Sequence, residues 1–274
     1  MTSLGPYWAV LSVRFREATQ YRAAALAGSA TQIAFGFIIY LSLSAFVRSQ
    51  PERSPMTAQQ LLSYVWLGQA FFALLPWRVD KEVVDAVRSG GIAYEMVRPV
   101  DLYSWWFFRS LGSRTCGAIL RCVPLLVVVG PVFALLRFDA YALHAPPSLF
   151  SAGAFAAALL VSVLLGTALT VLMEVTILWT LSVEGVKGVF PALVMFLSGT
   201  IVPLPMFPDW AQGVLSVLPF RGLMDVPFRA YSGALEPLGA LRATVLSLVW
   251  TVIVVAAGRW IINRGLRRVV VNGG

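Results

Sequence analysis

Residues 23–47 read AAALAGSATQIAFGFIIYLSLSAFV, a run without one charged side chain. Wound as a helix at about 1.5 Å of rise per residue, such a run can cross the ~30 Å hydrocarbon core of a bilayer. The rest of the chain has the same character. Of its 274 residues, 58% are hydrophobic and 12% charged, with a mean hydropathy of +0.78. A soluble domain carries roughly twice that charged fraction. No stretch is polar enough to form a separate soluble unit, so residues 1–274 read as one all-α integral membrane domain.

The apolar runs predict six transmembrane helices, over about 23–47, 56–77, 105–136, 149–181, 186–202 and 238–260. The third contains Arg109, Arg114 and Arg121, which either snorkel to the interface or face protein. The fourth is interrupted only by Glu174. Its length would carry it past the bilayer, putting Glu174 near the cytosolic boundary within reach of Lys187 or a cytoplasmic arginine. Lys and Arg are about twice as frequent in the segments that share a side with the N-terminus, which places both termini in the cytoplasm. Trp77, Trp105, Trp106 and Trp260 fall at the same inner boundaries.

The net charge of +8 then reads as basic cytoplasmic edges, and no basic stripe with interleaved aromatics points to nucleic acid. Before Arg22 the chain is not expected to be a cleavable signal peptide, since a short basic leader and cleavage pattern are missing. Trp8, Leu11, Phe15 and Ala18 recur there at helical spacing, predicting an interfacial amphipathic helix over about 5–22. The alternative is a cytosolic extension of the first span. Ala154, Ala158, Ser162, Gly166 and Thr170 place small residues at every fourth position of the fourth span. Such a ridge admits a close neighbour, from the same chain or from a second subunit.

Signs of catalysis are few. No Gly-rich loop ends in Gly-Lys-Ser/Thr, and neither a GxSxG elbow nor HExxH occurs. His144 is the single histidine, and Cys116 and Cys122 offer no metal cluster, so no metal site is expected. Glu174 stands apart as a possible pathway or proton-coupling group, because an acid inside an apolar segment is costly without a role.

Two loops carry more information. RVDKEVVDAVR (78–88) sets Val79, Val83 and Val87 at helical spacing with charges on the other faces, a short amphipathic helix. Ser89-Gly90-Gly91 can stop it through a left-handed glycine, and residues 92–97 form a second short element before Arg98-Pro99. This mixture of apolar and charged residues in one cytosolic hairpin suits docking on a soluble partner. The second loop, SGTIVPLPMFPDW (198–210), is followed by Leu218-Pro219 and Asp225-Val226-Pro227. It is apolar yet repeatedly broken by proline, as short helices that dip into the outer leaflet and return would be.

With these features in this order, the chain resembles the permease subunits of ABC transporters, specifically a bacterial branch of the ABC-2 (type 2 exporter) family. The similarity rests on the hairpin stretch RSGGIAYEMVRPVD (88–101) and on residues 199–210 with Leu218-Pro219. That resemblance implies a permease dimer, of two identical or related subunits, on two separate cytosolic ATPase subunits that bind ATP and magnesium, with no cofactor in this chain. It implies that the hairpin is a coupling helix, with Val87, Arg88, Tyr94, Glu95, Met96 and Arg98 against the ATPase. Gly199, Pro203, Pro205, Pro208, Trp210 and Pro219 would belong to a re-entrant outer segment. The cargo would be a drug, antibiotic, peptide or lipid-like molecule moved outward across the bacterial inner membrane. Two rivals are a proton-coupled secondary transporter using Glu174, and a non-transporting scaffold or immunity-type protein.

Overall fold

Among the described residues, four helices are long and apolar enough to cross a membrane: Arg22–Ser49, Leu102–Leu135, Leu149–Ile177 and Pro237–Gly265. The computed structural model describes residues 5–49, 54–97, 99–180 and 183–266, and among them every regular element is helical. In chain order these are α1 (Gly5–Thr19), α2 (Arg22–Ser49), α3 (Ala58–Ala70), α4 (Lys81–Arg88), α5 (Ile92–Met96) and α6 (Leu102–Val127). Then follow α7 (Phe133–Leu135), α8 (Leu149–Thr180), α9 (Val183–Leu197), α10 (Asp209–Val217), α11 (Asp225–Tyr231) and α12 (Pro237–Leu266).

The second and fifth expected spans are shorter than the apolar runs that suggested them. Helix α3 has 13 residues and α9 has 15, about 20 and 22 Å at the helical rise, less than the hydrocarbon core. Helix α3 stops at Ala70, a single 3-10 turn follows over Phe72–Leu74, and Leu75 is extended at ψ 146°. Pro76 disfavours helical geometry at Leu75. Helix α9 runs into Ser198 and Gly199, whose φ of +85° favours glycine. The fourth run ends at Thr180, and the expected boundary at residue 181 lies outside the described residues.

Protein surrounds α3, which explains how a short helix persists there. Ten of its 13 residues are buried. Thr57 Oγ1 accepts the Gln60 N–H at 3.2 Å and Gln60 Oε1 accepts the Thr57 N–H at 3.0 Å, a capping box. Trp66 fills the centre, edge-on to Phe37 at 5.3 Å, its indole N–H donating to the Tyr141 carbonyl at 2.9 Å. Helix α2 can pass this ring only because residue 36 is glycine; a Cβ there would overlap the Trp66 ring.

Helix α6 continues into α7 through one π-helical turn, Val128–Val132, which contains Pro131. The lost proline N–H shifts the bonding pattern, and the Phe133 N–H turns to the Val128 carbonyl. Val129 is left to accept the Leu143 N–H at 2.7 Å, which pins the following loop. The small-residue ridge of α8 packs within this chain. Ala158 lies against Val226 and Ala243, Ser162 Oγ donates to the Leu223 carbonyl at 2.6 Å, and a Cβ at Gly166 would stand 3.0 Å from the Leu74 carbonyl.

Candidate functional site

Along α6, Ser110, Ser113, Arg114, Gly117 and Arg121 recur at spacings of three and four, forming one polar face on an otherwise apolar helix. That face turns inward. Arg114 donates to Thr170 Oγ1 at 2.7 Å, to the Leu75 carbonyl at 3.3 Å and to the Leu74 carbonyl. Arg114 thereby ties α6 to the 3-10 turn that follows α3. One turn away, Glu174 is fully buried. Its Oε1 accepts the Asp80 N–H at 2.9 Å, and Ser110 Oγ lies 3.4 and 3.5 Å from its two oxygens. Among the described residues Glu174 has no ion pair, and the side chain of Lys187 lies outside them. Glu174 thus ties α8 to the segment that enters the hairpin.

The hairpin begins where this anchor ends. Asp80 caps α4, accepting the Glu82 N–H at 2.9 Å, and its carboxylate meets Arg109 Nε at 3.0 Å. Arg109, only 4% exposed, also reaches Glu95 at 3.3 Å. The other Glu95 oxygen accepts the Trp106 indole N–H at 2.7 Å. Val83 and Ile92 are buried against Tyr103, Trp106, Val171 and Val175. Gly90, at φ +75°, makes the turn between α4 and α5 as its sequence position suggested.

Of the residues expected to face a partner, Tyr94 is 83% exposed and Met96 is exposed beside it, joined by Val97. Val87 is half-buried beneath the hairpin, packed against the same apolar clusters. Glu95 faces inward, held by Trp106 and Arg109, and so differs from the outward position expected of it. The side chain of Arg88, and Arg98 altogether, lie outside the described residues.

Helix α1 closes the cluster from the side. It is a separate helix, breaking at Gln20 and Tyr21 before α2 begins. A Cβ at Gly112 would lie 2.9 Å from the Leu11 carbonyl, so α1 rests directly on α6. Tyr7 Oη accepts the Asp101 N–H at 3.1 Å. Arg14 pairs with Glu17 at 2.9 Å and with Glu82. That hydrogen bond from Arg14 holds the Glu82 carboxyl below its usual range. Trp8 and Phe15 stay exposed on the opposite face, available to lipid. The side chains of this region border a cavity of about 630 Å³.

At the other end of the bundle every expected proline stands where a missing N–H costs little. Pro203 precedes the 3-10 turn Leu204–Met206, which contains Pro205; Pro208 precedes α10; and Pro219 opens the 3-10 turn Pro219–Leu223. Gly199 sits against the Tyr64 hydroxyl, where a Cβ would overlap. Trp210 is exposed on α10 with Val214 and Val217. Behind it Asp225, fully buried, pairs with Arg221 at 3.0 Å and Arg229 at 3.6 Å.

Sequence reasoning missed Asp80 and the role of Arg109 and Arg114. The i, i+3, i+4 spacing of the polar residues on α6 was the available signal. A family model described as ABC-2 family transporter protein matches residues 26–273. No curated protein matches the chain significantly. With four membrane-length apolar helices and a family match over nearly its whole length, the chain belongs to the ABC-2 family of transporter proteins and is a multi-pass membrane component of transport.

Proposed function

We propose that the chain is the permease subunit of an ATP-driven exporter in the bacterial inner membrane, with six traverses and both termini in the cytoplasm. In this reading α3 and α9, with the turns that extend them, make up the second and fifth traverses. Two cytosolic ATPase subunits bind ATP and magnesium, and a second permease subunit completes the pathway. The cargo is hydrophobic or amphipathic.

The observation that carries this reading is the hairpin. Its tip offers Tyr94, Met96 and Val97 outward, with Val97 83% exposed. Its base is fastened by Glu95 to Trp106 and Arg109, and by Asp80 to Glu174. A push on α5 therefore reaches α6 and α8 without passing through a flexible loop. Exposed aromatic and apolar residues on a rigid base are what a docking site offers a partner. Arg88 and Arg98 belong to the same contact in this reading, with Glu95 as the link behind it.

Co-purification of the chain with its ATPase tests the assignment. Tyr94→Ala with Val97→Ala, or Arg88→Glu, should reduce ATPase recovery about tenfold, the loss typical of a truncated interface anchor. Unchanged assembly and unchanged ATP-dependent transport in both variants would reject the hairpin as the docking element.

A further inference from the structure

We infer that the cavity between α1, α6, α8 and residues 72–80 binds the anionic phosphate headgroup of an amphiphile. The cavity, about 630 Å³, falls within the size range of small-molecule sites. Arg14, Arg78, Arg114 and Arg121 line it, against the carboxylates of Asp80 and Glu174. Those acids are already engaged, Asp80 by Arg109 and Glu174 by the Asp80 N–H and Ser110. Arg14 has its own partners in Glu17 and Glu82.

Arg78, Arg114 and Arg121 are different. Among the described residues none of the three has a carboxylate at ion-pair distance. Arg114 bonds only to neutral oxygens, and its Nε is buried without a partner. The Arg121 guanidinium lies along α2, where a Cβ at Gly28 would come within 3.4 Å of it. Arg114 and Arg121 within one partly apolar cavity, with the exposed Arg78 at its edge, favour an anion, and guanidinium matches phosphate oxygens in geometry. Phe72, Leu75, Trp77 and Val79 supply apolar wall beside them, so the ligand has a charged head and a hydrocarbon body. Arg14 of α1 lines the site, and the exposed Trp8 and Phe15 of that helix suit the lipid interface. Both a bilayer lipid and a transported amphiphile carry this chemistry.

Binding at this site does not depend on the ATPase. The full-length chain in nanodiscs of zwitterionic lipid is titrated with radiolabelled dihexanoyl phosphatidylglycerol, with dihexanoyl phosphatidylcholine and glycerol 3-phosphate as separate probes. Phosphatidylglycerol should bind, phosphatidylcholine about tenfold or more weakly, and glycerol 3-phosphate weakly too. Arg78→Gln and Arg121→Gln remove charges that hold no other structure, and each should weaken phosphatidylglycerol about tenfold. Gly117→Leu tests the space instead, because a Cβ at Gly117 meets nothing within 4 Å; it should block the lipid with all charges present. Equal binding of both lipids, or full binding in the arginine variants, would overturn the inference. Glycerol 3-phosphate binding as tightly as the lipid would overturn the amphiphile in favour of a free-anion site. Displacement of phosphatidylglycerol by a transported cargo would identify the cargo as a source of the same headgroup chemistry, and failure of any cargo to displace it would assign the site to bilayer lipid.

Discussion

Replacing Glu95 by alanine should loosen the hairpin without dismantling the bundle. The carboxylate joins α5 to α6 through two contacts, Trp106 at 2.7 Å and Arg109 at 3.3 Å. Trp106 is 0% exposed, so its indole N–H has no water to turn to. Leaving such a donor unpaired costs about 1–3 kcal/mol. Arg109 keeps Asp80 at 3.0 Å, so its share is smaller, about 1 kcal/mol. The total of roughly 3 kcal/mol corresponds to about a hundredfold rise in the opening equilibrium of the hairpin. Amide hydrogen exchange resolves this locally, because opening of one element is independent of global unfolding.

The expected result is faster exchange in α4 and α5, with α8 and α12 unchanged. Glu95→Gln separates the two contacts. Its amide oxygen still accepts the Trp106 N–H, so only the negative charge facing Arg109 is lost and opening should rise about fivefold. In the assembled transporter both variants should keep the ATPase bound through Tyr94 and Met96, while transport per ATP falls in the same order. Equal exchange in Glu95→Ala and the unsubstituted chain would show that the carboxylate does not hold the hairpin. Equal acceleration in the alanine and glutamine variants would refute the role given to Trp106.

Gly36→Ala sets a Cβ inside the Trp66 ring, and since both helices are fixed by packing it should cost about 1–3 kcal/mol, read as a lower Tm in detergent. Asp225→Asn removes the charge from a fully buried acid between Arg221 and Arg229; about 3–5 kcal/mol should be lost, and protease digestion should cut first between α9 and α12. Glu174→Gln keeps an acceptor for the Asp80 N–H, so ATP-driven transport should persist, whereas Glu174→Leu should cost about 1–3 kcal/mol in thermal stability; loss of transport in the glutamine variant alone would instead support proton coupling. Because Arg14 holds the Glu82 carboxyl below its ordinary value near 4.5, their contact is intact above that value and is lost as pH falls through the lower value of the folded state. Exchange in α1 should rise on acidification, and Glu82→Gln should flatten that rise.

The four long helices were legible because predominantly apolar runs of sufficient length mark helices that can cross a bilayer, even where single charges interrupt them. The shortness of α3 and α9 was not, because hydropathy does not register where a helix ends. Residues 71–77 stay apolar while the backbone leaves the helix, and only Pro76 marks the place. The turn at Gly90 and the proline positions of the outer segment were readable, since each follows from the backbone of that residue alone. The resemblance placed Glu95 at the ATPase contact, and composition alone does not tell a solvated charge from one that turns inward. Its partners, Trp106 and Arg109, lie in the next helix and leave no mark within 88–101. The Glu174 bond to the Asp80 N–H was equally hidden, because a backbone donor carries no residue type.

The Glu174 contact is the last of a series along one i, i+4 ridge of α8. At every fourth position from Ala158 to Glu174, α8 touches a different part of the molecule. Ala158 meets Val226, Ser162 bonds Leu223, Gly166 admits Leu74, Thr170 accepts Arg114 and Glu174 accepts Asp80. The ridge spans about 24 Å, most of the hydrocarbon core. It joins the proline-broken outer segment to the hairpin along a rigid body. A rigid helix alone cannot switch, since coupling requires an element with two arrangements that both ends bias. The segment 71–80, a 3-10 turn followed by extended backbone, is held to α6 and α8 by Arg114 and Glu174 as well as by the hydrogen bonds of its own turn.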